Sequence, residues 1–200
     1  MYTLISGSPK LKPSNSMTFI NKIKSTLEDY SVFELKKHNY DEILSSIKDS
    51  EVIVLAFPLY VDSPTSITLE FLDYIVDNKI DLKNKQVYSI INCGFRDGNQ
   101  NVTAANIISA WCKKVNAKYS GSLLIGAGEI IGNSKYKYLS TKANKTLNNF
   151  SKIIKTKATT KDIVTTVNIL NDRMFCFFAN IFWNKDGKKF KQTKKDMKIE

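Results

Sequence analysis

Cysteine is scarce in this chain of 200 residues, and histidine is scarcer. The three cysteines, Cys93, Cys112 and Cys176, stand apart with no CxxC pair. That spacing suggests neither a disulfide framework nor a cysteine-ligated metal or iron–sulfur site, and the three read as reduced, partly buried thiols. The one histidine, His38, lies in Lys36-Lys37-His38-Asn39 without the second and third ligands a metal would need. It reads as a surface or loop residue. A single histidine and no serine in a G-x-S-x-G setting leave little scope for a nucleophilic triad. No repeat or low-complexity stretch stands out. The first residues lack a basic region ahead of a long apolar run, so no signal peptide is expected and the protein is expected in the cytoplasm. The apolar stretch from Met174 to Trp183 is too short to span a bilayer.

Acidic residues are missing from one part of the chain, and this decides how the net charge of +11 is read. Residues 1–131 hold 14 Lys and Arg against 14 Asp and Glu, whereas residues 132–161 hold 8 Lys and no acid. Residues 184–200 add a further +4. The excess therefore lies in the C-terminal third, where it suits phosphate groups on a dinucleotide, an anionic lipid surface or nucleic acid. Solvated surface lysine in a chain rich in Lys, Asn and Ile is the plainer reading, and no nucleic-acid partner is expected.

What is present is an alternation of strand and helix signals in a length that suits one α/β domain. Tyr2 to Ser6 is a short β-prone run closed by Gly7-Ser8-Pro9. Ser14-Asn15-Ser16 offers helix caps before Phe19, Ile20, Ile23 and Leu27 at helical spacing. A strand over 31–35 and a short helix over 40–47 follow. The unbroken apolar run Val52 to Phe57 suits a central parallel strand covered on both faces. Asp62-Ser63-Pro64 reads as a cap before the next helix. Then come a strand over 86–92, a helix over 102–115, a strand over 119–125, and helical segments from about Lys135 and Lys161 onward. This alternation predicts a five-stranded parallel sheet with right-handed crossovers in the order 2-1-3-4-5, whose ligand site lies at the switch point between strands one and three. We divide the chain into a ligand-binding domain over 1–158 and a helical, Lys-rich extension over 159–200, packed on the same domain or on a partner subunit.

Three loops carry the chemistry. The first, after strand one, contains Ser8, Lys10, Ser14, Asn15 and Ser16, with hydroxyls, amides and a helix N-terminus that suit a phosphate. It has neither the P-loop spacing nor G-x-G-x-x-G, so nucleotide hydrolysis and Rossmann-type NAD binding do not follow from it. The second, Pro58-Leu59-Tyr60-Val61, places an aromatic and apolar side chains where a planar ring could lie. The third, Asn92-Cys93-Gly94-Phe95, holds a glycine that permits close backbone approach.

In order and spacing, G-S-P-K with S-N-S, F-P-L-Y-V-D-S-P and N-C-G-F resemble the flavodoxin-like NAD(P)H-dependent FMN oxidoreductases, including relatives of the iron–sulfur flavoproteins, over about the first two thirds of the chain. The cluster cysteines of the latter are absent, and Lys12 and Pro13 depart from the family's first loop. The resemblance implies a flavodoxin-like three-layer sandwich. It implies FMN-phosphate contacts from Ser8, Lys10, Ser14, Asn15 and Ser16, and contacts to the flavin ring from Pro58, Leu59, Tyr60, Cys93, Gly94 and Phe95. Val61 and Asn92 complete the expected site. It further implies NADH or NADPH as electron donor, a quinone, flavin or other small molecule as acceptor, and a homodimer. With the cofactor carrying the reaction, no catalytic side chain and no metal are expected.

The alternatives are a flavodoxin-type electron carrier without a pyridine-nucleotide site and a non-catalytic flavin-binding protein. A phosphotransfer module on the same fold is disfavoured, because strand three ends in Phe57-Pro58 rather than an acceptor aspartate. The apolar tail helix is expected to pack or dimerise. Contact of the Lys-rich tail, including Lys188, Lys189, Lys194 and Lys195, with a membrane surface is the lesser reading.

Overall fold

The computed structural model describes residues 1–10, 14–167 and 171–192. Lys12, Pro13, Lys194 and Lys195, singled out above, lie outside the described residues. In chain order the elements are β1 (Tyr2–Ser6), α1 (Asn15–Lys24), β2 (Tyr30–Glu34), α2 (Tyr40–Asp49), β3 (Val52–Pro58), α3 (Ser66–Asp77), β4 (Gln86–Asn92), α4 (Val102–Lys114), β5 (Lys118–Ile125), α5 (Gly128–Gly132), α6 (Thr141–Lys155), β6 (Ile163–Thr165) and α7 (Asp172–Lys189). Short 3-10 turns precede α2, α4 and α6.

The apolar strands behave as their lack of alternation demands. β1, β3 and β4 lie side by side and are almost wholly buried. Because successive side chains leave a strand on opposite faces, each of these strands feeds two cores. Ile5, Ile53, Leu55, Phe57 and Ile91 share one cluster with Ile43 and Ile47 of α2, Phe71 and Ile75 of α3, and Ile108 and Trp111 of α4. On the other face lie α1 and α6, where Tyr88 of β4 meets Phe150 edge-on at 6.0 Å between ring centroids. The result is helices on both faces of a parallel sheet.

The sheet has six strands in the order β2-β1-β3-β4-β5-β6, all neighbouring pairs parallel, and not the five expected. The sixth falls where helix was expected from Lys161 onward. Ile163-Val164-Thr165 is three residues long, too short for a period of two to declare itself, and tertiary contacts decide it. The Asp162 carboxylate accepts from the Tyr119 hydroxyl at 2.6 Å and from the Ser122 amide at 2.9 Å, and the Gly126 amide donates to Thr165 O at 2.9 Å. These bonds hold the β-branched segment against β5. A register shift opposite Val87 and Tyr88 uses Gly121 at φ 119°, a conformation only glycine takes without strain.

The chain divides into two compact units, Met1–Asn168 and Ile169–Glu200. The described part of the second is α7 and its flanks. Its N-cap is Asn171, whose side chain accepts from the Met174 amide at 2.9 Å. No helix among the described residues is long and apolar enough to cross a membrane.

Candidate functional site at the carboxyl ends of the strands

The crossover from β1 runs to one edge of the sheet and that from β3 to the other, so the loops after them part and leave a crevice. Loop one is anchored before it reaches that crevice. The Gly7 amide donates to Ala56 O at 2.8 Å, and Gly7 O accepts from the Thr65 hydroxyl at 2.6 Å. A Cβ on Gly7 would sit 2.0 Å from the Thr68 hydroxyl oxygen, so only glycine lets α3 close on this turn. Ser14 then caps α1, its hydroxyl accepting from the Met17 amide at 3.1 Å and its carbonyl from the Thr18 amide at 3.1 Å. The helix supplies no acceptor for the amides of Asn15 and Ser16, which leaves them for an external anion.

After β3 the chain turns within two residues. Tyr60 and Ser63 exchange both backbone hydrogen bonds, at 3.0 and 3.1 Å, across Val61 and Asp62 at φ 50° and 57°. Left-handed backbone at both central positions is the type I′ geometry, and it is strained for a β-branched valine. This turn explains why Asp62 is not the helix cap the sequence suggested. Thr65 takes that place, its hydroxyl accepting from the Thr68 amide.

Asn92, at the end of β4, ties the three loops together. Its side-chain amide donates to the Ser16 hydroxyl at 3.3 Å and to Phe57 O at 3.1 Å, while its backbone carbonyl accepts from the Leu59 amide at 2.8 Å. Next to it the Cys93 thiol lies against Phe95 O and Asp97 O at 3.6 and 3.7 Å and accepts from the Asn101 amide at 3.6 Å. Burial pushes its pKa above the ordinary thiol value, more strongly than these hydrogen bonds lower it. Cys93 is therefore a protonated wall at neutral pH, not a nucleophile. Asp97 caps the following 3-10 turn through the Asn99 amide at 2.9 Å.

Together these loops enclose an open pocket of about 120 Å³. Ser8, Lys10, Asn15 and Ser16 line it from loop one, Pro58, Leu59 and Tyr60 from loop two, and Asn92, Cys93 and Gly94 from loop three. Three expected residues stand outside this lining. Ser14 is spent on capping α1, Val61 is 98% exposed at the tip of its turn, and Phe95 is 62% exposed on the rim. One lining residue escaped the sequence reading, Glu129 in the first turn of α5. The signal for it was Gly126-Ala127-Gly128-Glu129, a glycine-rich turn directly after strand five. Gly128 packs there against the Asn92 side chain, and its amide donates to Cys93 O at 2.8 Å.

The donor set suits a phosphorylated planar ligand. The pocket lining brings the hydroxyl-bearing Ser8 and Ser16 and the cationic Lys10 together with Pro58, Leu59 and a half-exposed Tyr60. Gly94 gives the sharper test. A Cβ there would meet no protein atom within 4 Å, and its φ is not positive, so nothing in the protein demands glycine. Gly94 is exposed, and the open space over it leaves room for a ligand to approach the backbone closely. Among the described residues no group of three or more His, Cys, Asp and Glu side chains comes together to hold a metal.

No protein-family model matches the chain, and no curated protein matches it in sequence. Solved structures do resemble it. An NADPH-quinone reductase from P. pentosaceus superposes with a TM-score of 0.63 at 18% identity, over 77% of this chain and 96% of that one. The Trp repressor binding protein of Bacillus subtilis gives 0.62 at 16% identity, over 76% and 99%. A Fusobacterium nucleatum flavodoxin bound to flavin mononucleotide gives 0.55 at 15% identity, over 78% and 98%. Identities this low speak to architecture alone, and what they establish is that the chain has the flavodoxin-like α/β fold.

Proposed function

We propose that the pocket binds FMN and that the protein is an NAD(P)H-dependent oxidoreductase passing electrons to a quinone, a flavin or another small acceptor. The observation that carries this reading is Gly94, which the protein leaves bare beside a pocket lined by both phosphate-donor and apolar residues. When bound, FMN supplies hydride and electron transfer.

The chain's own residues bind and orient. The amides of Asn15 and Ser16, the hydroxyls of Ser8 and Ser16 and the ammonium of Lys10 take the phosphate, aided by the N-terminal dipole of α1. Pro58, Leu59 and Tyr60 keep water from one face of the ring, and Asn92 holds loops one and three in register. The pocket encloses about 120 Å³, less than the roughly 300 Å³ at which sites for whole small ligands begin. Such a pocket would hold only part of a mononucleotide.

A visible spectrum of the purified protein, before and after addition of FMN, tests the cofactor. Bound-flavin absorption is expected, and its absence with FMN in excess rules the reading out. The likeness to a flavodoxin with FMN bound favours a second reading, an electron carrier without a nicotinamide site. Anaerobic NADH and NADPH separate the two, because only the oxidoreductase is bleached by one of them within its turnover time.

A further inference from the structure

Of the residues lining the pocket only Glu129 is acidic, and the fold fixes where its backbone stands. Ala127, left-handed at φ 53°, turns the chain out of β5 into α5, with its amide on Phe95 O at 2.6 Å and that of Gly128 on Cys93 O at 2.8 Å. The short helix then closes on both neighbouring loops. A Cβ on Gly128 would lie 3.0 Å from Asn92 Cβ, and one on Gly132 would lie 2.4 Å from Asn15 Oδ1. Glycine at both positions therefore lets α5 press against the end of β4 and the N-terminus of α1. Glu129, between those glycines, is held beside the residues that take the phosphate. Several acids of the sheet unit are already committed: Asp97 caps a 3-10 turn, Asp162 accepts from Tyr119 and Ser122, and Glu51 pairs with Lys157 at 2.8 Å. Glu129 is exposed and has no hydrogen-bond or ion-pair partner among the described residues.

What such a carboxylate takes is decided by its chemistry. Once ionised it only accepts hydrogen bonds. A phosphate monoester, with a second pKa of about 6, is mostly an acceptor-only dianion at neutral pH as well, so the two groups do not bond to each other. The amides of loop one and Lys10 serve the phosphate instead. Between the phosphate and the ring of a flavin mononucleotide runs a polyhydroxylated chain, and its hydroxyls are donors. A hydroxyl that donates to a carboxylate forms a charge-assisted bond, stronger than a neutral one. Resting on the FMN reading above, we infer that Glu129 is a specificity residue that accepts hydrogen bonds from the chain hydroxyls of the flavin. The site then selects a polyhydroxylated phosphate monoester, and not every flat phosphorylated ring.

The test is a flavin fluorescence titration of the full-length protein and of Glu129→Gln, which keeps the shape of the side chain and removes its charge. Two probes are used at neutral pH: FMN, and its phosphopentyl analogue, which keeps the ring and the phosphate but has no chain hydroxyls. The parent should prefer FMN over the analogue, and Glu129→Gln should weaken FMN binding roughly tenfold, the worth of a hydrogen bond to a charged group. Binding of the analogue should change by no more than about twofold, because the carboxylate has nothing on it to accept from. Urea unfolding of the variant should match the parent, since Glu129 is exposed and unpaired. Unchanged FMN binding by Glu129→Gln overturns the inference and leaves the FMN reading standing. Tighter FMN binding overturns it too, because the carboxylate then faces the phosphate, as does an equal loss for FMN and the analogue. A parent protein that binds neither probe overturns the FMN reading and this inference together.

Discussion

Trp111 and Trp183 show how differently two regions of one chain use the same kind of side chain. In the sheet unit several aromatics are buried and paired, with Trp111 bonded to Leu72 O, Tyr40 edge-on to Phe71 at 5.1 Å between ring centroids and Tyr88 against Phe150. In α7, Phe177 and Phe178 touch each other at 5.6 Å and Trp183 is largely bare. Buried aromatics contribute to folding, whereas exposed ones contribute nothing until something covers them. The glycines divide in the same way. At Gly7 the protein itself fills the space a side chain would need, and at Gly94 the space is open.

The comparison breaks most visibly if the cores do not dominate stability. Phe150→Ala, at a fully buried position, should cost about 3–5 kcal/mol in urea unfolding. Gly7→Ala should cost about 1–3 kcal/mol, since the new methyl meets Thr68 Oγ1, itself fixed by a 2.8 Å bond to the Thr65 hydroxyl.

Alkali offers a test of burial at Cys112, whose thiol is pushed from 9.0 up to about 12 chiefly by desolvation. The folded state then holds its proton more tightly than the unfolded one. Its contribution is complete below pH 9 and falls between pH 9 and 12, at about 1.4 kcal/mol per pH unit. Cys112→Ala should remove that part of the slope, read as unfolding free energy against pH. Burial and the Asp162 carboxylate raise the Tyr119 hydroxyl as well, so some alkaline slope should remain.

Gly94→Ala sharpens the contrast with Gly7. Unfolding should shift by no more than about 0.5 kcal/mol, while overpacking against the ligand should weaken FMN binding roughly tenfold in a fluorescence titration. Equal losses of stability at Gly7 and Gly94 would erase the distinction. The smallest expected effect is that of Trp183→Ala, within about 0.5 kcal/mol in unfolding. A larger loss would mean that the side chain is covered in the free protein.

Much of the scaffold was legible because its signals are local. β4 was anticipated over the same residues, and the caps of α1 were read from Ser14-Asn15-Ser16. β6 was not legible, since a three-residue strand has no period of its own and exists through Asp162, Gly126 and the edge of β5. Of the 13 residues expected at the site, ten line the pocket. Ser14 and Val61 do not, because capping and the two-residue turn direct them elsewhere. Glu129 was hidden because its place in the pocket depends on how α5 packs against Asn92.

The sequence by itself determined a parallel α/β sheet, the order of its first five strands and three loops at their carboxyl ends, two of them bearing glycine and the middle one an aromatic and apolar side chains. Strand hydrophobicity, helix caps and chain handedness act over a few residues and can be read from them. Only the tertiary structure decided the sixth strand, the carboxylate in the pocket, the thiol that stays protonated and which glycine is bare for a ligand. Each of those depends on atoms far apart in the chain, on burial and on the space one loop leaves for another.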